Sequence, residues 1–168
     1  MKKNIGVIDY GLGNILSICG ALEYLGYNVI FSDDRSSLNK CETIILPGVG
    51  SFDYGMKKLQ ELKLIDAIHN HSKKNKPILG ICLGMQLMAK SSEEGVEKGL
   101  SLFDAEVIKF NYNKGFPIPH MGWNTVKVNK QNPLIQNNKF NKFYFVHSYY
   151  FRCNNKSDVM TTTLYSKE

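Results

Sequence analysis

The sequence lacks several features that mark common protein classes. Its cysteines, Cys19, Cys41, Cys82 and Cys153, are widely spaced and form no Cys-x-x-Cys pair. This argues against a zinc site and against a small disulfide-linked scaffold, so we expect reduced thiols and no metal or other cofactor. No apolar run approaches the length of a membrane span, and no small-residue cleavage site follows the first strand. We therefore expect a cytoplasmic protein that does not bind membranes.

The sequence also lacks a basic patch. Its net charge of +6 comes from lysines scattered among asparagines, whereas a nucleic-acid-binding surface would group them with aromatic residues on one face. We expect no nucleic-acid partner, and an acidic protein partner or a phosphorylated metabolite remains open. No internal repeat or low-complexity linker occurs, and 168 residues suffice for one domain with a substantial core.

The first half of the chain alternates strands and helices. Apolar runs predict strands at 5–9, 28–31, 43–46 and 78–81, and helical spacing predicts helices at 14–25, from 52 through Ile65, and after Cys82. Strands without polar alternation are typical of a parallel sheet covered by helices on both faces. In the second half, 107–110, 123–128 and 143–151 predict an antiparallel extension of that sheet. The fold class is therefore α/β.

Three turns follow strands of the predicted parallel sheet. They are 9–14, 47–51 and the bend around Cys82. In such sheets a ligand binds outside the carboxyl ends of the strands. We therefore expect all three turns on one side of the molecule.

Cys82 lies where an apolar strand meets a helix, with Gly80 and Gly84 on either side. Such a bend strains the cysteine backbone and pushes the sulfur out of the sheet edge, where helix N–H groups favour the thiolate. The alternative is a small buried apolar residue, and the glycine spacing favours a nucleophile. One strand away, the glycines of 47–50 permit backbone N–H groups to face an oxyanion, although such a turn alone is weak evidence.

The single tryptophan and the histidines could be structural or functional. Trp123, the only tryptophan, is either an interface anchor or part of the core. His120 and His147 are interpreted as hydrogen-bonded structural histidines rather than bases. His69 and His71 end a polar helix, and we expect them to face solvent.

Four motifs occur in a fixed order: Pro-Gly-Val-Gly at 47–50, Gly-Ile-Cys-Leu-Gly-Met-Gln at 80–86, Pro-His-Met-Gly-Trp-Asn at 119–124 and Tyr-Phe-Val-His-Ser-Tyr at 144–149. Together they resemble class I (triad-type) glutamine amidotransferases over nearly the whole chain, and more narrowly the HisH glutaminase subunits of imidazole glycerol phosphate synthases. The segment 8–14 fits the same subunits. The resemblance implies a single flavodoxin-like domain, a glutamine amidotransferase type 1 domain, over residues 1–168.

The resemblance also implies a chemistry and a set of site residues. Cys82 would attack the side-chain amide of glutamine, form a thioester and release ammonia to a HisF-type barrel subunit in a heterodimer serving histidine biosynthesis. The implied oxyanion donors are Gly48, Val49, Gly50 and Leu83. The implied glutamine-binding residues are Gln86, His147, Ser148 and Tyr149. The implied subunit contact near the ammonia passage contains Asn14, Met121, Trp123 and Asn124.

The sequence departs from the family at one element. The family's catalytic histidine and glutamate belong to a His-x-Glu segment, and no His-x-Glu occurs in these 168 residues. Since that histidine moves the protons of the reaction, we expect little or no glutaminase activity from this chain as it stands. The last strands would also be missing. The chain is either a piece of a longer enzyme, which the intact Cys82 and glycine segments favour, or a shortened subunit that only binds a partner.

Three other functions remain. A paralogue could deliver ammonia for surface-glycan amidation through the same cysteine chemistry. A non-catalytic interaction subunit would not need Cys82. A cysteine hydrolase unrelated to amide transfer is disfavoured by the 119–124 motif.

Overall fold

The computed structural model describes residues 3–111, 116–130, 132, 134–135 and 141–165. The strands are β1 (Asn4–Ile8), β2 (Asn28–Ser32), β3 (Thr43–Leu46), β4 (Ile78–Gly80), β5 (Ser91–Ser92), β6 (Ala105–Lys109), β7 (His120–Thr125), β8 (Lys127–Val128), β9 (Lys142–His147), β10 (Tyr149–Cys153) and β11 (Thr161–Thr162). The helices are α1 (Ile15–Tyr24), α2 (Arg35–Asn39), α3 (Phe52–Glu61), α4 (Ile65–Lys73) and α5 (Leu83–Gln86), with a 3₁₀ turn at Lys156–Asp158. None of the helices in these ranges has the length and apolar character that a membrane crossing requires.

The first four strands form one parallel sheet in the order β2-β1-β3-β4. The chain leaves β1 toward β2 on one side and returns to β3 on the other, so the winding reverses between β1 and β3. The carboxyl ends of parallel strands lie at one sheet edge, and a crevice forms where the winding reverses. The α/β prediction and its mostly parallel sheet are confirmed.

Alternating side chains of the sheet enter two apolar layers. Val7 and Ile45 pack with Ile15 of α1 on one face. Ile8 and Leu46 pack on the opposite face. Because side chains alternate along a strand, a continuous apolar run fills both layers, which explains why these strands show no polar alternation.

Both ends of α1 are set by residues that commonly begin and end helices. Asn14 caps it, its side chain accepting a hydrogen bond from the Ser17 nitrogen, and Gly26 follows the helix at a φ of 85°. The predicted helix from residue 52 through Ile65 is instead two helices. Lys63 breaks it with a left-handed φ of 57°, and α4 begins at Ile65.

His71 is buried, with 2% of its surface exposed, so the prediction that it faces solvent was wrong. It lies on the buried face of α4 together with Ala67 and Ile68. The spacing of these residues places them along one helix face, which the polar neighbours in the sequence obscure. Burial, and secondarily the charge of Lys76, lowers the pKa of the His71 imidazole.

The antiparallel strands do not extend the parallel sheet as predicted. In the described residues they form three smaller sheets, β10-β6-β5, β8-β11 and β7-β9, and the short strand β5 pairs with β6 in parallel. The predicted strand 143–151 divides at Ser148, whose carbonyl accepts a hydrogen bond from the Phe110 nitrogen. Before Ser148 the chain pairs with β7, and after it the chain pairs with β6.

Candidate active site around Cys82

Cys82 occupies a strained turn between β4 and α5. Its φ of 54° and ψ of −117° are unusual for a residue with a side chain, and its side chain is exposed. Non-glycine residues persist in such conformations only where surrounding structure enforces them, and these positions cluster at functional sites. The Ile81 nitrogen donates to the Leu46 carbonyl at 3.0 Å, which ties the turn to the neighbouring strand β3. The prediction of an exposed cysteine in a bend is confirmed.

Two glycines make this bend possible. A Cβ on Gly80 would lie 2.6 Å from the Met85 Cα, inside the helix that folds back over the strand. A Cβ on Gly84 would collide with the Leu46 carbonyl oxygen and lie 2.6 Å from its carbonyl carbon. Both glycines are therefore required by close backbone approach, which is the signal that the sequence carried.

The segment 47–50 lies directly against the turn that carries Cys82. Pro47 and Gly48 are buried, whereas Val49 and Gly50 are exposed. A Cβ on Gly48 would lie 3.0 Å from the Gly84 nitrogen and 3.0 Å from the Leu83 Cβ. Of the four predicted oxyanion residues, the structure therefore brings Gly48 against Leu83 at the start of α5, and Val49 and Gly50 follow Gly48 on the exposed side of the segment.

The buried side chain of Tyr10 holds the segment 47–50 in place through a hydrogen bond to Pro47. It is 1% exposed, and its hydroxyl donates to the Pro47 carbonyl oxygen at 2.6 Å. A Cβ on Gly48 would collide with the same hydroxyl. Burial, and secondarily the negative charge that Cys82 can carry, raises the pKa of the Tyr10 hydroxyl above its ordinary value. The three turns predicted at the strand ends thus lie close together, because Tyr10 of the first contacts Pro47 and Gly48 of the second, which lies against the third. The sequence did not indicate the role of Tyr10, since it shows only an aromatic residue in a glycine-rich turn.

A Tyr10→Phe substitution tests this support. It removes only the hydroxyl, so the buried Pro47 carbonyl loses its donor, and we expect the free energy of unfolding to fall by about 1–3 kcal/mol. Urea denaturation followed by circular dichroism measures the change. Tyr24→Phe is the matched control, because Tyr24 is 91% exposed, and we expect it to change stability by less than about 0.5 kcal/mol. Equal stability of the two variants would contradict the assignment.

Hydrogen bonds connect three of the predicted glutamine-binding residues, Gln86, His147 and Tyr149. The Gln86 amide donates to the Tyr149 carbonyl oxygen at 3.5 Å, a long hydrogen bond, and Nδ1 of His147 lies 2.8 Å from the same oxygen. Ser148 lies between His147 and Tyr149 in the sequence, and its carbonyl accepts a hydrogen bond from the Phe110 nitrogen. The start of β10 is thereby held against α5, the helix that follows Cys82.

The predicted subunit-contact residues do not share one face. Met121 and Trp123 point to the exposed face of the β7–β9 sheet, 61% and 73% exposed. Asn124 lies on the opposite face, where its amide donates to the Leu164 carbonyl. Asn14 is exposed in the turn after β1, where it caps α1. Trp123 is exposed, so the reading that places it in the core is wrong, and its reading as an interface anchor stays a prediction.

Two carboxylates near this site were also missed by sequence analysis. Glu94 accepts a hydrogen bond from the Phe52 nitrogen at 2.8 Å, at the start of α3, where Ser51 makes no side-chain cap. Asp53 accepts from the Glu97 and Val96 nitrogens, which lower the pKa of its carboxyl group. These bonds join the loop after β5 to the segment that follows 47–50. No local pattern signals them, since the partners are far apart in the chain.

Comparison with known proteins places this geometry in a family. The sequence model of class I glutamine amidotransferases matches residues 6–168. The chain belongs to the class I glutamine amidotransferase family. Among relatives of this amidotransferase, imidazole glycerol phosphate synthase subunit HisH 2 of Methanococcus maripaludis is 48% identical over 98% of this chain and 82% of that protein. HisH 2 of Pseudomonas aeruginosa is 39% identical over the same shares, and HisH of Leptospira borgpetersenii is 42% identical over 96% and 81%.

Solved structures agree with the amidotransferase fold. A crystal structure of a glutamine amidotransferase has a TM-score of 0.70 at 19% identity and covers 94% of this chain and 78% of that one. PurLQS from Thermotoga maritima has a TM-score of 0.67 at 21% identity, covering 98% and 76%. At these identities the likeness concerns the fold alone, and it confirms the flavodoxin-like prediction.

Proposed function

We propose that this chain is a glutaminase subunit that hydrolyses glutamine to glutamate and supplies ammonia to a HisF-type partner during imidazole glycerol phosphate formation in histidine biosynthesis. The observation that carries the proposal is the exposed, strained Cys82 at the start of α5, a helix whose first residues, Leu83 and Gly84, lie against Gly48. Relatives named HisH, up to 48% identical over nearly the whole chain, support the pathway. We propose that residues 1–168 act as one type 1 domain, working in the cytoplasm, where thiols stay reduced.

The proposed reaction begins with the Cys82 sulfur. The thiolate attacks the side-chain carbonyl carbon of glutamine, and the resulting tetrahedral oxyanion collapses as the C–N bond breaks. The departing nitrogen takes a proton and leaves as ammonia. Water then attacks the thioester, which releases glutamate and regenerates the thiol. A soft, exposed thiol suits both the formation and the cleavage of this thioester.

Backbone donors would stabilise the oxyanion. We propose Gly48, Val49, Gly50 and Leu83 as the residues whose N–H groups surround it. Their support is the contact between Gly48 and Gly84, which sets the glycine segment against the start of α5. Tyr10 restrains the same segment through Pro47.

We propose that the amino-acid end of glutamine binds against α5 and the end of β9. Gln86, His147, Ser148 and Tyr149 would line that pocket. The support is that Gln86 and His147 both contact the Tyr149 carbonyl oxygen, and Ser148 lies between His147 and Tyr149 in the chain. Because Gln86 is on the helix that begins after Cys82, a substrate held there would lie next to the thiol.

Proton transfer sets the expected rate. The family's histidine takes the thiol proton and passes it to the amide nitrogen as the C–N bond breaks, so that ammonia leaves, and no His-x-Glu occurs within these 168 residues. We therefore propose that this polypeptide, assayed with its partner at ordinary glutamine concentrations, turns over glutamine far more slowly than relatives that carry the motif. An enzyme-coupled glutamate assay measures the rate, and turnover near that of such relatives would refute this part of the proposal.

The proposed partner surface is the exposed face of the β7–β9 sheet. Met121 pairs with Val146 and Trp123 with Tyr144, and all four side chains are more than half exposed. A cluster of apolar and aromatic side chains on a surface is typical of a protein interface. We propose that a HisF-type subunit covers it in a heterodimer, with Asn124 on the inner face and Asn14 at the site edge lining the ammonia passage.

Selective labelling tests the nucleophile without requiring turnover. We expect 6-diazo-5-oxo-L-norleucine, a glutamine analogue with a reactive diazoketone, to form one adduct on Cys82, and excess L-glutamine to slow it. Peptide mapping by mass spectrometry locates the adduct. Cys82→Ser should abolish labelling, and Cys153→Ser, which changes a half-buried cysteine, should not. An adduct on another cysteine, or the same rate with and without glutamine, would overturn the proposal.

A non-catalytic interaction subunit is the second candidate, because the apolar face of β7–β9 does not depend on Cys82. Cys82→Ala separates the two. If the chain only binds a partner, the variant should support histidine synthesis in cells as well as the original sequence does. If ammonia supply is its function, growth without histidine should be slower with the variant than with the original sequence, and excess ammonium should remove the difference.

A further inference from the structure

Two histidines of the motifs form a connected pair behind the proposed docking face. Nδ1 of His120 lies 2.9 Å from Nε2 of His147, and Nδ1 of His147 lies 2.8 Å from the Tyr149 carbonyl oxygen. On the other side of His120, its Nε2 lies 3.3 Å from the Asn124 amide nitrogen. A continuous chain of hydrogen bonds therefore runs from β7 through β9 to the start of β10.

The groups at the two ends of this series of hydrogen bonds determine which ring nitrogens of the two histidines carry a proton. The Tyr149 carbonyl can only accept, so Nδ1 of His147 carries the proton and its Nε2 accepts. Nδ1 of His120 must then donate, which leaves its Nε2 to accept from Asn124. The Asn124 amide has one orientation, because its oxygen accepts from the Thr125 nitrogen at 2.7 Å and its nitrogen donates to the Leu164 carbonyl. Every bond is satisfied only when both imidazoles are neutral and protonated on Nδ1.

The surroundings of His120 favour the neutral form. Its ring is 4% exposed and is stacked between Phe145 at 4.7 Å and Tyr165 at 3.9 Å between centroids. Burial, and secondarily the nearby His147, lowers the pKa of the His120 imidazole. Protonating such a buried ring costs free energy. His120 therefore acts in the hydrogen-bond network as a fixed donor and acceptor and not as a base that changes protonation state.

We infer that His120 and His147 are positioning residues, a relay of two neutral imidazoles that holds the Tyr149 carbonyl where it receives the Gln86 amide. The inference rests on the proposed function, which assigns Gln86 to the amino-acid end of glutamine. The opposite face of the same two strands carries Met121 and Trp123, so a partner that shifts β7 against β9 acts on the relay directly. The relay thus joins the proposed docking face to the glutamine pocket.

Nitrogen NMR on the full chain labelled with ¹⁵N-histidine tests the relay without any ligand. At neutral pH we expect His120 and His147 both to be protonated on Nδ1 and unprotonated on Nε2, whereas the exposed reference form of imidazole carries its proton mostly on Nε2. Finding the Nε2–H tautomer or the doubly protonated ring at either residue would overturn the inference. This result does not depend on whether the chain binds glutamine.

Substitutions of His120 test its effect on the pocket. His120→Phe keeps a ring between Phe145 and Tyr165 but removes the donor, and we expect L-glutamine to protect Cys82 from the diazoketone about tenfold less well. His120→Asn restores a donor near the Nδ1 position and should recover most of the protection. Labelling by iodoacetamide, which needs no pocket, should be equal in all three proteins.

The outcomes separate two failures. If the original chain shows no protection by glutamine, the proposed function fails, whatever the tautomers are. If the original chain is protected and His120→Phe, folded by circular dichroism, is protected equally, the relay does not position Gln86 and the inference fails. If His120→Phe does not fold, the tautomers of the original chain and the recovery in His120→Asn decide.

Discussion

Gly84→Ala is expected to destabilise the protein by about 3 kcal/mol and to abolish protection of Cys82 by glutamine. The added methyl group would collide with the Leu46 carbonyl oxygen and lie 3.1 Å from the Pro47 carbonyl carbon, so β3 and α5 must separate. Overpacking of a filled interior commonly costs about 1–3 kcal/mol, and a clash with backbone, which cannot rotate away, belongs at the upper end. For a chain of this size the midpoint of thermal unfolding should fall by roughly 6–12 °C.

Gly20→Ala is the matched control for this substitution. Gly20 is an exposed position of α1 with no atom within 4 Å of an added Cβ. Alanine is the better helix former, so we expect the stability to stay the same or to rise by up to about 1 kcal/mol. If calorimetry gave Gly84→Ala the same unfolding midpoint as Gly20→Ala, the close approach of α5 to β3 would be refuted.

The sequence predicts the turn that carries Cys82 well because the constraints on that turn are local. An apolar strand, a cysteine and two glycines are all visible within 78–84, and the structure confirms the exposed Cys82 that they indicate. The parallel sheet follows in the same way. Its strands are short apolar runs, and each connection is long enough for a crossover.

The later strands are predicted less well, because their partners are decided by contacts distant in the chain. The apolar run 143–151 has the composition of one strand, yet Ser148 divides it between β7 and β6. Nothing in the run itself marks the change of partner. Register across an antiparallel pair depends on both strands, so one strand alone cannot specify it.

The residues that organise the site were missed for the same reason. Tyr10 and Pro47 are 37 positions apart, and Phe52 and Glu94 are 42 apart. Each pair is joined by one hydrogen bond whose donor and acceptor types are common everywhere in proteins. Such a bond is found by geometry, whereas a glycine required by close approach leaves its mark in the sequence.

The β7–β9 sheet shows how one motif can serve two sides of a structure. Alternation along β7 sends Met121 and Trp123 to the exposed face and His120 and Asn124 to the inner face. The 119–124 motif therefore combines a proposed docking surface with the histidine relay. A partner seated on one face would stiffen the two strands and fix the hydrogen bonds on the other.

Trp123→Ala is expected to weaken binding of the proposed HisF-type partner about 30-fold, or ~2 kcal/mol. Trp123 is 73% exposed and lies edge-on to Tyr144, at 5.8 Å between ring centroids, which presents a large apolar area in a defined orientation. Tryptophan at the centre of an interface commonly contributes 2 kcal/mol or more. Isothermal titration calorimetry of the purified chain with the purified partner measures the dissociation constant.

Val96→Ala is the comparison for that measurement. Val96 is a more exposed apolar side chain, at 92%, and its loop is bonded to Asp53 of α3 instead of the β7–β9 sheet. Its loss should leave the affinity within a factor of about two, because an exposed side chain outside the contact is close to neutral. Equal weakening by both substitutions would show that apolar surface in general drives association, and unchanged affinity for Trp123→Ala would place the partner on another face. Weakening by Trp123→Ala alone would locate the docking surface on β7 and β9, on the reverse side of the strands that hold His120 and His147.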